Sequence, residues 1–131
     1  TVDLDGQIFE KPVDRDDAHK MLRLLSGRVH AVHTGVSVLV STDLVSTDLV
    51  STDLVSTEVV STLVEFVEFS DATIEWYLST GEAEGKAGAY GIQGAAGAFV
   101  RRIEGSVTNV IGLPLAETLA MLQRGVAIAG D

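Results

Sequence analysis

The stretch that decides the fold is TVDLDGQIFEKPVDRDDAHKMLRLLSGRVHAVHTGV, residues 1–36. Apolar and polar residues alternate on both sides of Asp5 and Gly6, a dipeptide that favours the tight turn of a β-hairpin. Asp14 suits the N-cap of a helix in which apolar residues recur at a helical spacing, and Gly27 suits its end. The stretch therefore predicts a hairpin followed by a helix with one buried face.

The same two patterns alternate through the rest of the chain. Residues 29–40 are rich in β-branched side chains and predict a strand, and residues 62–66 alternate as a returning strand. Ser70 suits the N-cap of a second helix that ends at Gly81, and a strand-like run, FVRRIEGSV, begins at Phe99. Strands that alternate with helices predict an α/β fold with a mixed sheet.

A last helix is predicted to begin at Pro114, because proline suits the first turn of a helix. Leucines then recur at a helical spacing, which predicts a stripe that faces the core. We expect the end of this helix to fray after Gly125. The residues of the predicted stripe are Leu115, Thr118, Leu119 and Leu122.

Residues 41–55 repeat STDLV three times in tandem, and the repetition then decays through STEVV and STLVE. A period of five residues fits neither a strand nor a helix, because it moves each copy to a different face. A pentapeptide-repeat β-helix is one interpretation, but three clear copies make less than one coil of such a solenoid. The favoured interpretation is a single domain, residues 1–131, with the repeat at residues 41–61 inserted in a hairpin.

Length and composition limit the classes of protein that fit. The 131 residues, 46% of them hydrophobic, suit one globular domain. No apolar run approaches the roughly 18 residues of a membrane span, and the chain does not open on a signal peptide, so we expect a soluble cytoplasmic protein with no membrane partner. Nine Lys and Arg against 19 Asp and Glu give a formal charge of −10, which opposes binding to nucleic acid. The absence of cysteine excludes disulfides and thiolate ligands.

The run GKAGAYGIQGAAGAFV, residues 85–100, is the least ordinary part of the sequence. It lacks the spacing of a Walker A loop and of a GxGxxG dinucleotide fingerprint. Its glycines let a backbone approach a ligand closely. Lys86 adds a positive charge, and Gln93 adds an amide that can both donate and accept, which suits the edge of thymine or uracil. A tightly turned structural loop is the alternative interpretation.

Other candidate residues carry weaker signals. Lys11 precedes Pro12, which restricts its backbone to extended geometry, although a lone lysine is typical of a solvent-exposed site. His30 and His33 are an odd number of positions apart on a predicted strand, so we expect them to point to opposite faces. Shared coordination of a metal ion by the two histidines is therefore not expected.

Three motifs follow one another in an informative order. The pattern TVxxxGxIxEKPxDxxDAxxMLxxLSGxxHxVxTGV occupies residues 1–36, GEAEGKAGAYGIQG residues 81–94, and NVIGLPL residues 109–115. In this order they resemble the Maf family of nucleoside triphosphate pyrophosphatases, whose signature the KAGAYGIQG segment is similar to. The resemblance covers nearly everything outside residues 41–61.

The resemblance implies a fold like that of the inosine triphosphate pyrophosphatases, in which a twisted mixed sheet flanked by helices borders a nucleotide cleft. It implies a hydrolase that splits a nucleoside triphosphate between the α- and β-phosphates, with a divalent cation, Mg²⁺ or Mn²⁺, as cofactor. For the subfamily with KAGAYGIQG, it implies dTTP and UTP as substrates. Members of the family are often dimers, so a homodimer is a further expectation.

Four positions match functional residues of the family. Thr1 and Gln93 match positions that set substrate specificity. Lys11 and Lys86 match lysines that are placed near the phosphates. The resemblance therefore predicts substrate-binding roles for these four residues.

Departures from the family pattern lead to an alternative. The family's proton-acceptor aspartate would immediately precede Thr1, and an acidic metal ligand lies earlier still, so we expect an N-terminally truncated domain with no catalytic residue and no metal ligand of its own. Gly85 and Val107 stand where the family usually has aspartate and tyrosine. The alternative to an active pyrophosphatase is a catalytically dead remnant that binds nucleotide or serves as an interaction domain.

Overall fold

The computed structural model describes residues 1–43 and 50–129. Within them the chain forms five β-strands, four α-helices and two short 3₁₀ helices, and none of these helices is long and apolar enough to cross a membrane. The strands are β1 (Val2–Leu4), β2 (Gln7–Phe9), β3 (Val29–Asp43), β4 (Val50–Phe66) and β5 (Val100–Glu104). The helices are α1 (Arg15–Leu25), α2 (Asp71–Ser79), α3 (Val107–Ile111) and α4 (Leu115–Ala129), with 3₁₀ helices at Ala87–Ala89 and Ala95–Phe99.

The five strands form one sheet in the order β2-β1-β3-β4-β5, and every pair of neighbours is antiparallel. The α/β class is confirmed, but the expected mixture of parallel and antiparallel neighbours is not found among the described strands. The reason is the position of β1. Helix α1 connects β2 to β3, which run in the same direction, yet β1 lies between them. The parallel strands are therefore separated by one strand instead of pairing.

The predicted turn and helix caps are present. Asp5 and Gly6 have positive φ angles of 51° and 89°, and they close the hairpin between β1 and β2. The Asp14 side chain caps α1 by accepting a hydrogen bond from the backbone N–H of Asp17 at 2.8 Å. Ser70 caps α2 in the same way. These short-range contacts set where the first elements begin.

β3 and β4 form a long antiparallel ribbon. The register shifts between Val38 and Leu39, where β4 has one extra residue, and such a bulge bends the ribbon and increases its twist. The parts of the repeat at residues 41–43 and 50–52 pair with each other. Residues 44–49 of the repeat lie outside the described residues. Insertion of the repeat in a hairpin stays a prediction.

The core lies against one face of the sheet. Val2, Val32 and Val64 are buried on this face, and the buried residues of α1 and α2 pack with them in one cluster. Phe66 and Tyr90 meet edge to face with ring centroids 4.9 Å apart, which is a favourable aromatic geometry. Exposed apolar side chains of the strands include Ile8, Val29, Leu39, Val59 and Leu63.

The core stripe predicted for α4 is wrong. Leu115, Leu119 and Leu122 are 56%, 57% and 49% exposed, and Thr118 is only partly buried. The buried face of the helix is carried instead by Met121, which has no exposed surface. The leucines of this helix therefore form an outer face of the described chain.

The close approach of α4 to β3 accounts for this orientation. A Cβ atom added at Gly125 would lie 3.3 Å from Val38 Cγ1, so the absence of a side chain lets the helix backbone come near the strand. Pro114, Met121 and Gly125 are spaced by seven and four residues, which puts them on one helical face. The helix continues to Ala129, beyond the predicted fraying point.

Candidate functional site

A cavity of about 570 Å³ opens between the glycine-rich segment, β1, β3 and α3. A concave cavity of this size with a few convergent polar groups is typical of a small-molecule site. We call the side formed by residues 82–94 the glycine wall, and the side formed by Val32, Thr34 and residues 109–112 the sheet wall. The lining residues are Thr1, Val2, Val32, Thr34, Glu82, residues 85–87, residues 90–94 and residues 109–112.

The glycine wall is a tightly turned backbone that is anchored from behind. Gly88 has a φ angle of 72°, a region that favours glycine, and an added Cβ would lie 3.1 Å from Val2 Cγ2. The backbone N–H of Gly91 donates a hydrogen bond to the hydroxyl of Tyr77, a buried residue of α2, at 3.2 Å. The wall is therefore fastened to β1 and α2, which leaves its other side to face the cavity.

Lys86 depends on the glycine that lies against its stem. A Cβ atom at Gly91 would lie 2.7 Å from Lys86 Cε and 2.9 Å from Lys86 Cδ. The present course of the lysine side chain is therefore possible only because position 91 has no side chain. Among the described residues, no carboxylate forms an ion pair with Lys86. The ammonium group can therefore serve an anionic part of a ligand.

Glu82 brings a carboxylate to the same wall. Its Oε2 accepts a hydrogen bond from the backbone N–H of Ala95 at 2.8 Å, at the beginning of the second 3₁₀ helix. A Cβ atom at Gly94 would lie 2.7 Å from the carboxyl carbon of Glu82. The glycine wall thus presents one cation and one anion, and a glycine makes room for each of them.

The sheet wall is built around Asn109 of α3, which is 1% exposed. Its Nδ2 donates to the carbonyl oxygens of Val32 at 3.0 Å and Val60 at 3.1 Å, and to Thr62 Oγ1 at 3.1 Å. The Thr62 hydroxyl donates in turn to the carbonyl oxygen of Ser106 at 2.8 Å. This network fastens α3 to β3 and β4.

The side-chain oxygen of Asn109 is in a different situation from its nitrogen. Oδ1 is buried, and no donor among the described residues lies within hydrogen-bonding distance of it. Buried polar atoms are nearly always paired, so an unpaired one requires an explanation. Exchanging the nitrogen and oxygen of the amide does not explain the unpaired atom, because Oδ1 would then face two carbonyl oxygens, which only accept hydrogen bonds.

Behind the cavity lies a buried pair of neutral groups. Tyr90 lines the cavity, and its hydroxyl lies 2.6 Å from His30 Nε2. Burial lowers the pKa of His30 to about 4 and raises the pKa of Tyr90 above its usual value, so both groups are neutral at pH 7. His33 lies on the opposite face of β3, as predicted, and its Nδ1 lies 2.7 Å from Ser61 Oγ.

Three of the four residues that the sequence singled out line this one cavity, namely Thr1, Lys86 and Gln93. Thr1 is held at the edge of β3, because its carbonyl oxygen accepts a hydrogen bond from the His33 backbone N–H at 2.8 Å. Gln93 is exposed at the cavity on the glycine wall. The structure therefore brings together Thr1 from the first motif and Lys86 and Gln93 from the second.

Lys11 is the fourth residue, and it does not line the cavity. It lies exposed in the loop between β2 and α1. Its neighbour Pro12 lines a second cavity of about 250 Å³, which shares Gly85 with the first. Gly85 has a φ angle of 71°, a backbone conformation in which glycine is favoured.

Reasoning from the sequence missed four polar residues of the cavity, namely Thr34, Glu82, Tyr90 and Asn109. Glu82 is the second residue of GEAEGKAGAYGIQG, and Asn109 is the first residue of NVIGLPL, so both lie inside the motifs that carry the family resemblance. Thr34 shares a face of β3 with Val32, which the alternation of strand residues predicts. Its position at a cavity depends on contacts that are distant in sequence.

Comparison with protein families gives a match over residues 1–125 to the family described as Maf-like protein. The chain belongs to the Maf family. This match confirms the resemblance drawn from the three motifs. It also contains the whole cavity, because every residue that lines the cavity lies between residues 1 and 112 of this Maf chain.

Curated relatives of this Maf chain carry the name dTTP/UTP pyrophosphatase. One from Anaeromyxobacter dehalogenans is 50% identical over 121 residues, which cover 92% of this chain and 59% of the relative. One from Chromobacterium violaceum is 51% identical over 128 residues, which cover 93% and 56%. One from Hahella chejuensis is 44% identical over 132 residues, which cover 100% and 60%. The chain therefore spans less than two thirds of the length of these relatives.

Proposed function

We propose that this chain recognises the nucleotide in a pyrophosphatase that converts dTTP and UTP into the monophosphate and pyrophosphate. The observation that carries the proposal is the meeting of Thr1, Lys86 and Gln93 at one cavity. The names of the relatives support the choice of substrate. Because the chain spans less than two thirds of their length, the activity of the whole protein is part of the proposal.

The polar groups of the cavity suit the two halves of such a substrate. Gln93 offers both a donor and an acceptor, which can pair with the imide edge of thymine or uracil. Lys86 offers a compact positive charge to phosphate oxygens. Lys11 lies outside the cavity, but its side chain is exposed and its flexible stem can reach phosphates that project from the opening. Thr1 contributes a hydroxyl that helps to select the nucleoside.

A divalent cation, Mg²⁺ or Mn²⁺, is the proposed cofactor. Within the described residues, no group of three or more His, Asp or Glu side chains could hold a metal ion, so these residues do not fit a site made by the protein alone. Mg²⁺ commonly binds through one or two carboxylates together with substrate phosphates. Glu82 is the one carboxylate among the described residues that line the cavity, and we assign it this contact.

A second candidate function is nucleotide binding without hydrolysis. The roles proposed above for Thr1, Lys86 and Gln93 are binding roles, and Oε2 of Glu82, the carboxylate of the cavity, already accepts a hydrogen bond from the Ala95 N–H. Hydrolysis needs a group that takes a proton from the attacking water. The two candidates therefore make the same prediction for binding and opposite predictions for turnover.

Pyrophosphate release separates these candidates. The chain is incubated with dTTP, UTP, CTP or ATP in the presence of Mg²⁺ or Mn²⁺, and binding of each nucleotide is measured in parallel by calorimetry. Release from dTTP and UTP above that from CTP and ATP supports the pyrophosphatase, and preferential binding without release supports the second candidate. The Gln93→Ala variant should reduce the preference, whereas Gln123→Ala, an exposed control on α4, should not. Equal binding of all four nucleotides, or none, would refute both.

A further inference from the structure

We propose that Asn109 Oδ1 accepts a hydrogen bond from a neutral donor on the nucleoside part of the ligand. This inference rests on the proposed function and adds a specificity-determining residue to it. In a dTTP- or UTP-like ligand, the available donors of this kind are the imide N–H of the base and the sugar hydroxyls. Neither the motifs nor the resemblance assigns Asn109 a role in recognition.

The orientation of the Asn109 side-chain amide is fixed by its partners. Nδ2 points at two backbone carbonyl oxygens, of Val32 and Val60, which can only accept. The third partner, the Thr62 hydroxyl, uses its proton on the Ser106 carbonyl oxygen and must therefore accept from Asn109 as well. All three contacts require the nitrogen, so the oxygen is the atom that remains for another partner.

This oxygen belongs to a residue that lines the cavity. Asn109 is 1% exposed, and Oδ1 meets no donor from the described residues. A buried acceptor that lacks a donor is costly, and a donor from a bound ligand would remove that cost. The same residue therefore stabilises the sheet wall through its nitrogen, while its oxygen is the atom left without a partner beside the cavity.

The chemistry of Oδ1 and of its neighbours indicates which part of the ligand donates to it. Phosphate oxygens are acceptors at neutral pH, so an amide oxygen repels them instead of binding them. The neighbours of Asn109 on the sheet wall, Val32, Thr34 and Ile111, are uncharged, whereas Lys86 and Glu82 stand on the glycine wall. A neutral wall suits the nucleoside, whereas Lys86 and a divalent cation bound at Glu82 would suit the phosphates. The donor is therefore on the base or the sugar.

The size of the effect follows from the chemistry of buried hydrogen bonds. A site that is built to pair with an N–H or O–H group rejects an analogue that lacks it, because the buried partner is then left unpaired. Loss of one such bond is expected to weaken binding about tenfold or more. An exposed contact would be replaced by water and would show a much smaller difference.

The test uses this chain, unaltered, and three ligands measured by calorimetry. The parent ligand is α,β-imido-dTTP, which cannot be cleaved at that bond, and the others are its N3-methyl and 3′-deoxy analogues. We expect one analogue to bind about tenfold or more weakly than the parent. A loss with the 3′-deoxy analogue indicates a sugar hydroxyl as the donor, whereas a loss with the N3-methyl analogue has to be assigned to Asn109 or Gln93 by the second measurement. Equal binding of all three ligands would overturn the proposed hydrogen bond to Asn109 Oδ1 but not the proposed function. The partner of Oδ1 would then be a water molecule. If the parent itself does not bind, the proposed function is overturned with it.

A second measurement assigns the difference to Asn109. The ratio of parent to analogue affinity is measured in Asn109→Ala, after thermal melting has shown that the variant is folded. The ratio should fall close to one, because the variant can no longer distinguish the presence of the donor. A ratio that stays as large as in the unaltered chain would show that the added methyl group or another residue causes the difference, and it would overturn the assignment. Loss of stability alone does not change this ratio.

Discussion

The two walls of the cavity differ in how their polar groups are held. On the glycine wall, Lys86 is exposed, and its course depends on the empty space at Gly91. On the sheet wall, Asn109 is buried and is fixed by three acceptors on β3 and β4. An exposed polar group can be changed at little cost to the fold, whereas a buried and bonded one cannot.

This difference separates recognition from stability within one site. Substitutions of the exposed polar residues Lys86 and Gln93 on the glycine wall should change affinity for the nucleotide and leave the free energy of unfolding almost unchanged. Substitutions on the sheet wall should lower the free energy of unfolding, so their effect on affinity has to be measured under conditions in which the variant is folded.

The largest effect is expected for Asn109→Ala. The substitution removes the three hydrogen bonds that Asn109 Nδ2 makes to the Val32 and Val60 carbonyl oxygens and to the Thr62 hydroxyl, and it leaves a void at a residue that is 1% exposed. We expect a loss of about 3 kcal/mol in the free energy of unfolding. Urea denaturation measures this loss. The control is Val107→Ala, an exposed position on the same helix, which should stay within about 0.5 kcal/mol. A loss below about 1 kcal/mol for Asn109→Ala would show that the sheet wall is no more rigid than the glycine wall.

The next effect concerns His30, the buried residue of β3 whose ring meets Tyr90 at the cavity. Burial lowers the pKa of His30 to about 4, below its value of about 6.5 in the unfolded chain, so the unfolded state binds the proton more readily. The stabilising contribution of the neutral ring is complete above pH 6.5 and is lost as the pH falls towards 4. We expect about 2 kcal/mol less stability at pH 5 than at pH 8 from this group.

Denaturation curves at pH 5 and pH 8 check this expectation for the unaltered chain and for His30→Phe. The variant keeps His19 and His33, so the difference between the two chains isolates His30. The pH-dependent loss should be absent or much smaller in the variant. An equal loss in both chains would assign the acid sensitivity to the exposed charges instead.

The elements that the sequence predicted well are those set by contacts between near neighbours in the chain. The turn at Asp5 and Gly6 and the cap at Asp14 involve partners no more than four residues away. Residue chemistry at such positions decides the backbone conformation almost alone. For the same reason the fold class could be predicted. The motif match named the four candidate site residues, of which Thr1, Lys86 and Gln93 line the cavity.

Features that depend on distant contacts could not be predicted in this way. The hydrogen bond from Asn109 to the Val32 carbonyl joins residues 77 positions apart, and no pattern near Asn109 in the sequence predicts it. The face of α4 that packs inward is selected by the contact of Gly125 with Val38, against a leucine pattern that indicated another face. The position of β1 between β2 and β3 likewise depends on contacts between strands that are distant in the sequence.

On the glycine wall, the stronger expected effect is that of Lys86→Met. Methionine keeps an unbranched apolar stem and removes the charge, so binding of α,β-imido-dTTP should weaken about tenfold. The melting temperature should not change, because Lys86 is exposed and makes no ion pair with the described residues. Lys20→Met, an exposed position on α1, is the matched control and should leave affinity unchanged. Equal effects of the two variants would mean that only net charge matters.

The smallest effect, and the sharpest test of the contrast, is that of Gly91→Ala. The new methyl group would overlap the Lys86 stem at 2.7 Å, and a flexible lysine can move away at little energetic cost, so the fold should tolerate the change. The ammonium group is then displaced, and affinity for α,β-imido-dTTP should fall about threefold, because a charge held out of place binds less well. Gly35→Ala, where an added Cβ meets no atom within 4 Å, controls for the substitution itself.

In the double variant Gly91→Ala with Lys86→Met, the alanine should add no further loss, since the group that it displaces is already gone. A further loss would instead place Gly91 itself against the nucleotide, and the glycine wall would then recognise its ligand through the backbone as well as through the lysine.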